Sequence, residues 1–145
     1  FDGSVRSQAQ VFRREVRADV CTVAENRSVL LQAAALVELR GGSPQQAATA
    51  MGIAIVNQMG LVCDPVAGLV EIPCIKRNAS GVMIAFPAAD MALSGIDLKI
   101  PVDECISAMK AVGDSMPEAL RETAGGGLAT TPTGKKLREQ VFGKE

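Results

Sequence analysis

The stretch from Cys63 to Cys74 constrains this chain more than any other. Ten residues separate its two cysteines, with Pro65 and Gly68 close to the first and Pro73 abutting the second. The backbone between them therefore cannot run as one helix. An ordered loop carrying two thiols is expected, and the flanking chain has to fold so as to hold it. Of the 145 residues, 48% are apolar, mainly Ala, Val, Leu, Ile and Met, with four Phe and no Trp or Tyr. That inventory suits closely packed helices better than a β-sandwich. The length fits one compact domain.

Helical signals lie on both sides of the loop. Residues Phe1 to Asp19 are polar and charged with scattered Val and Phe, compatible with a helix. From Ser28 to Leu39 the pattern is apolar nearly all round, which predicts a buried helix stopped by Gly41 and Gly42. Ser43-Pro44-Gln45-Gln46 has the form of a helix start: Ser43 as N-cap, Pro44 at the first position, Gln46 as capping-box partner. That helix is predicted to reach Gln58 or Met59, with Ala47, Met51, Ala54 and Ile55 on one face and Gly60 closing it. Ile75 to Leu93 has helical composition, with Pro87 expected to kink or divide it. Residues Ile96 to Pro101 read as a connector. A helix capped by Asp103 is expected to end at Gly113, a short one to open at Pro117 and reach about Thr123, and a peripheral one to run from Thr133 or Gly134 to Phe142. No segment shows a convincing period of two. The fold class expected is all-α, a compact bundle of five or six helices.

The formal charge of −1 leaves no basic footprint, so nucleic acid is not an expected partner. No apolar run is long enough to span a membrane, and the arginine-rich beginning is no signal peptide. Thiols in a reducing cytoplasm are the expectation, which disfavours disulfides despite the even cysteine count. Histidine is absent, which removes Ser-His-Asp and Cys-His arrangements within these residues and any zinc site needing imidazole. The close Cys-x2-Cys knuckles of a structural zinc site are missing too. On spacing alone, buried thiols outweigh metal ligands.

Longer motifs shift that balance. The run from Gly60 to Ala79, GLVCDPVAGLVEIPCIKRNA, followed by RETAGGGLA over Arg121–Ala129 and Thr131-Pro-Thr-Gly134, is similar to the α domain of the iron-sulfur-dependent L-serine dehydratases. The similarity covers roughly Ala33 to the end. It implies a helical domain holding a 4Fe-4S cluster through three cysteines. Cys63 and Cys74 match two of them, and Cys21, by its distance upstream, corresponds to the third. Three thiolates leave one iron open as a Lewis acid for L-serine, which is deaminated to pyruvate and ammonia without pyridoxal phosphate. Lys76 accordingly needs no Schiff-base role.

The resemblance further implies a β domain or β subunit as partner, a hetero- or homo-oligomer, and a cytoplasmic enzyme of amino-acid degradation. On this division residues 1–27 form a divergent N-terminal segment and 28–145 the helical α-domain portion. Other parts of the serine pocket, a Pro-Thr-Ala-Gly type loop and the β domain, are not among these residues, so the chain is expected to be the carboxy-terminal part of an α domain or α subunit. No residue is assigned as catalytic base. Arg77 and Asn78, just past Cys74, are candidates for the substrate carboxylate or for donation to cluster sulfurs, with surface or capping roles as the alternative. Asp64 is read as a cap on loop backbone. Cys105, at helical spacing from Ala108, Met109 and Val112, is read as a core thiol. Two other classes stay open: a non-catalytic helical assembly module with free thiols, and a structural metal module using Cys63, Cys74 and a carboxylate.

Overall fold

The structure, a computed structural model, describes residues 21–143, and side-chain surroundings from residue 28 onward. The helix expected over Phe1 to Asp19 lies outside the described residues. Among those described there are five α-helices: α1 (Cys21–Leu39), α2 (Pro44–Gln58), α3 (Cys74–Leu93), α4 (Val102–Ser115) and α5 (Pro132–Phe142). Three single 3-10 turns, Val66–Gly68, Glu118–Leu120 and Gly127–Thr130, join them. The described residues contain no β-strand, only one isolated parallel bridge between Cys63 and Arg121. The all-α expectation therefore stands. No described helix is long and apolar enough to cross a membrane.

Helices α1, α2 and α3 pack mutually, and α4 leans on α2. Small side chains make this close packing possible. Gly81, Ala85, Ala88, Ala89 and Ala92 form the buried face of α3, and Ala33, Ala34, Ala47, Ala50 and Ala54 line the facing helices. At Gly81 a Cβ would collide with the Val29 side chain, so α1 and α3 approach as nearly as backbone allows. Leu30, Met51, Ile55 and Ile106 fill the remaining volume. Each such large side chain contributes about 1.5–3 kcal/mol by leaving water.

Sequence signals set the boundaries where local chemistry is strong. Ser43 Oγ accepts from the Gln46 N–H at 3.2 Å, and Gln46 Oε1 accepts from the Ser43 N–H at 2.9 Å, the reciprocal capping box that was anticipated. The same Gln46 donates through Nε2 to the Ala92 and Leu93 carbonyls at 3.2 and 3.4 Å. One amide thus starts α2 and satisfies the end of α3. Ala47, Met51, Ala54 and Ile55 are buried as expected.

Five expectations are corrected. Pro87 does not divide α3, which runs unbroken from Cys74 to Leu93. Pro87 and its neighbour Phe86 lie on the exposed side, so the ring points away from the packed face, and burial of the alanine face outweighs the roughly 3 kcal/mol a mid-helix proline costs. Gly113 does not stop α4, which continues to Ser115 with Lys110 paired to Asp114 across that position. An interior glycine costs only about 1 kcal/mol against alanine. Asp103 is not the cap of α4; Pro101 occupies that place, and Asp103 and Glu104 sit in the first turn, where the helix dipole favours acids. The segment opened by Pro117 is a single 3-10 turn, Glu118–Leu120. Nor is α1 buried all round, since Leu31 and Leu39 are exposed.

Candidate functional site

The end of α2 delivers the chain directly into Cys63, and the loop closes where Cys74 begins α3. Both thiols are buried, 1% and 4% exposed, and neither they nor Cys105 is in a disulfide. The loop is tied to itself at its base: the Val66 N–H donates to the Ile72 carbonyl at 2.9 Å and the Ile75 N–H to the Val70 carbonyl at 3.1 Å. Ile72–Pro73 is a cis peptide bond. Lys76 Nζ donates to the Glu71 carbonyl at 2.8 Å, an exposed brace.

A distant segment clamps the loop from the other side. The Cys63 N–H donates to the Leu120 carbonyl and the Glu122 N–H donates to the Cys63 carbonyl, both at 2.9 Å. Next in sequence, Asp64 is 2% exposed. Its Oδ2 accepts from the Leu128 N–H at 2.7 Å and its Oδ1 from Arg77 Nη1 at 2.8 Å. The same Arg77 nitrogen donates to the Val62 carbonyl at 2.6 Å. Gly127 lies so close to Asp64 that a Cβ would collide with its carboxylate, and its φ of +56° is one that only glycine adopts freely. Three elements, the Cys63 end of the loop, the first turn of α3 and residues 120–128, thus converge on one buried carboxylate.

The site residues anticipated from sequence fall as follows. Cys63 and Cys74 are brought into one braced loop. Arg77 is drawn into that brace through Asp64 and Val62, whereas Asn78 is exposed on the first turn of α3. Asp64 does cap backbone, but of residue 128 rather than of its own loop. The Cys21 side chain lies outside the described side chains, and among the described residues no three His, Cys, Asp or Glu groups gather to hold a metal ion. Cys105 is 1% exposed within the core, where burial, with the nearby Glu104 charge, pushes its thiol pKa upward. Arg121 was not singled out from sequence, although it opens the RETAGGGLA motif. It is the bridge partner of Cys63, and its Nε is buried without a hydrogen-bond partner.

The donor set suits a thiophilic metal group. Two sheltered sulfurs are fixed by backbone bonds, one at the first turn of a helix, where N–H groups without internal partners favour negative charge. Arg121, the residue bridged to Cys63, carries a buried Nε with no hydrogen-bond partner. Alongside the loop lies an open cleft of about 540 Å³, bordered by Ala67, Gly68, Thr123, Thr130, Lys135 and Arg138. Lys135 and Arg138 bring positive charge to its border.

Comparison with known proteins matches the sequence to a family. A family model described as "Serine dehydratase alpha chain" matches residues 20–129, a span that includes Cys21, Cys63 and Cys74. The "Probable L-serine dehydratase, alpha chain" of Bacillus subtilis (strain 168) is 60% identical over 113 residues, covering 78% of this chain and 38% of the relative. The protein of the same description from Latilactobacillus sakei is 53% identical over 125 residues, 86% of this chain and 60% of the relative. The "L-serine dehydratase, alpha chain" of Peptoniphilus asaccharolyticus is 57% identical over 112 residues, 77% and 38% respectively. The chain thus spans between about two-fifths and three-fifths of the length of these relatives. With the family model covering most of its length and the motif residues assembled in one clamped loop, the chain belongs to the serine dehydratase alpha chain family.

Proposed function

We propose that this chain is the cluster-holding portion of an L-serine dehydratase, with Cys21, Cys63 and Cys74 as ligands of a 4Fe-4S cluster. The observation that carries the reading is the pair of buried thiols on a loop whose backbone is pinned from both ends. Relatives named L-serine dehydratase, at 53–60% identity, supply the substrate class. When bound, such a cluster supplies an open iron that acts as a Lewis acid on the serine carboxylate and hydroxyl, with no need for pyridoxal phosphate. The chain's own residues hold and shelter. Asp64, braced by Arg77, keeps residues 120–128 over the Cys63 side of the loop. The cationic cleft beside Val66–Gly68 gives an amino-acid carboxylate an approach, and exposed Asn78 is the candidate polar contact on the helix side. Arg77 serves as the brace rather than as a free carboxylate clamp. Exposed Leu69, Val70, Ile75, Met83 and Phe86, on the loop and the outer face of α3, support an apolar interface with further α-chain or β-chain residues in a cytoplasmic enzyme.

Anaerobic reconstitution of the chain with ferrous iron and sulfide tests this reading. The expected result is a brown protein with about four irons per chain, the content of a cubane cluster. Cluster retention should be lost in Cys21→Ser, Cys63→Ser and Cys74→Ser and kept in Cys105→Ser. A folded, colourless wild type would overturn the cluster reading, and equal losses in all four variants would overturn the ligand assignment. Serine deamination is then assayed by pyruvate release after addition of the remaining α- and β-chain portions.

A further inference from the structure

Two buried side-chain polar atoms among the described residues lack a hydrogen-bond partner, Gln32 Oε1 and Arg121 Nε. The second stands beside the candidate site. An arginine Nε–H can only donate, and leaving such a group buried and unmatched is costly. The backbone explains its position. Arg121 pairs with Cys63 in a parallel bridge, and residues paired this way send their side chains to the same face of the ladder. The donor and the Cys63 sulfur therefore share one side of the clamp.

We infer that Arg121 is a positioning residue whose Nε–H donates a hydrogen bond to the Cys63 sulfur once that sulfur is a metal-bound thiolate. A neutral thiol is a weak acceptor, whereas a thiolate accepts charge-assisted bonds. That difference gives the unmatched donor an acceptor once a metal holds the sulfur as thiolate. Access decides between this acceptor and a substrate carboxylate. Nε has less than 1 Å² of exposed surface, so an anion from solution would have to displace protein to meet it, while a sulfur carried on Cys63 is already inside. Arg77 cannot replace it, being engaged with Asp64 and Val62. Hydrogen bonds to cluster sulfurs stabilise the more negative, reduced state and hold the ligand in place.

The inference rests on Cys63 being a cluster ligand, and its test separates the two. The reconstituted wild type is compared with Arg121→Met and Arg121→Lys by redox titration of the cluster absorbance and by the rate of iron release to a chelator, both without serine. Removing the donor should make the midpoint potential more negative and speed iron release about tenfold, the scale of outer-shell effects on metal affinity. Lysine keeps the charge without the planar Nε–H and should fall clearly short of wild type. If Arg121→Met does not retain helicity by circular dichroism, Arg121→Lys carries the comparison. Unchanged potential and iron release in folded variants would overturn the inference, even if the KM for serine rises, and would leave the ligand assignment intact. A lysine variant equal to wild type would overturn the directed bond in favour of charge alone. A wild type that takes up no cluster would overturn both.

Discussion

Asp64 shows how one side chain can hold a site together. Its two oxygens bind different segments, Leu128 on one side and Arg77 on the other, at 2% exposure. Replacing it with alanine leaves the Arg77 charge half-buried and the Leu128 N–H without its acceptor. Asp64→Ala should lower stability by about 2–4 kcal/mol, measured by urea denaturation. Asp64→Asn, which keeps one acceptor for one of the two partners, should lose less. Cys105 yields a different kind of prediction. Burial raises its pKa above the ordinary value of 9.0, so the folded state holds the thiol proton more tightly than the unfolded chain does. The stability this confers is fully present below the unfolded pKa and is lost as pH rises through the folded one. Denaturation midpoints should therefore fall above about pH 9, and Cys105→Val should flatten that alkaline decline.

At the scale of elements, helix ends and helix interiors obey different controls. Gln46 closes the capping box of α2 and donates to the last carbonyls of α3. Gln46→Glu keeps the acceptor for the Ser43 N–H but replaces the donor with a negative oxygen facing two carbonyls. It should cost about 1–2 kcal/mol, whereas an exposed helical glutamine such as Gln140 changed to Glu should be nearly neutral; thermal melts distinguish them. The capping box was legible from sequence because every partner lies within four residues. Pro87 and Gly113 misled for the opposite reason. Each carries a local preference on the order of one to three kcal/mol, and packing of a whole helix face overrides it. Asp103 misled by two positions only: it lies in the first turn of α4 instead of at its cap.

The whole molecule divides its stability unevenly. Helices α1 to α3, with α4 against α2, share the alanine-rich core, whereas α5 packs chiefly on the Val66–Gly68 and Gly127–Thr130 turns. The half that covers the loop is thus held more by hydrogen bonds and one buried carboxylate than by apolar burial. Hydrogen exchange should show the α1–α3 amides protected to near the global unfolding free energy and residues 120–143 opening at lower cost. Iron and sulfide loading should then slow exchange in residues 63–77 and 120–128 and at the start of α1 beside Cys21, while leaving the rest of α1–α3 almost unchanged. Uniform protection before loading would refute this partition.

The sequence by itself determined the helical class, the capped start of α2, the thiol-bearing loop and the burial of Cys105, because those features are written in short-range periodicity and in residues that forbid alternatives. Its motifs also pointed to the family, yet they assigned no role to Arg121 and read Asp64 as a cap within its own loop. Only the tertiary structure decided that Asp64 reaches residue 128, that Arg77 is spent as a brace, and that Arg121 sits against Cys63 with an unmatched donor. The Asp64 and Arg121 contacts depend on chain segments some sixty residues apart meeting in space, and the Arg77 brace on the loop returning to the end it started from. Side-chain hydrogen bonding in a buried place is fixed by that meeting, whereas local sequence sets only the conformations that make it possible.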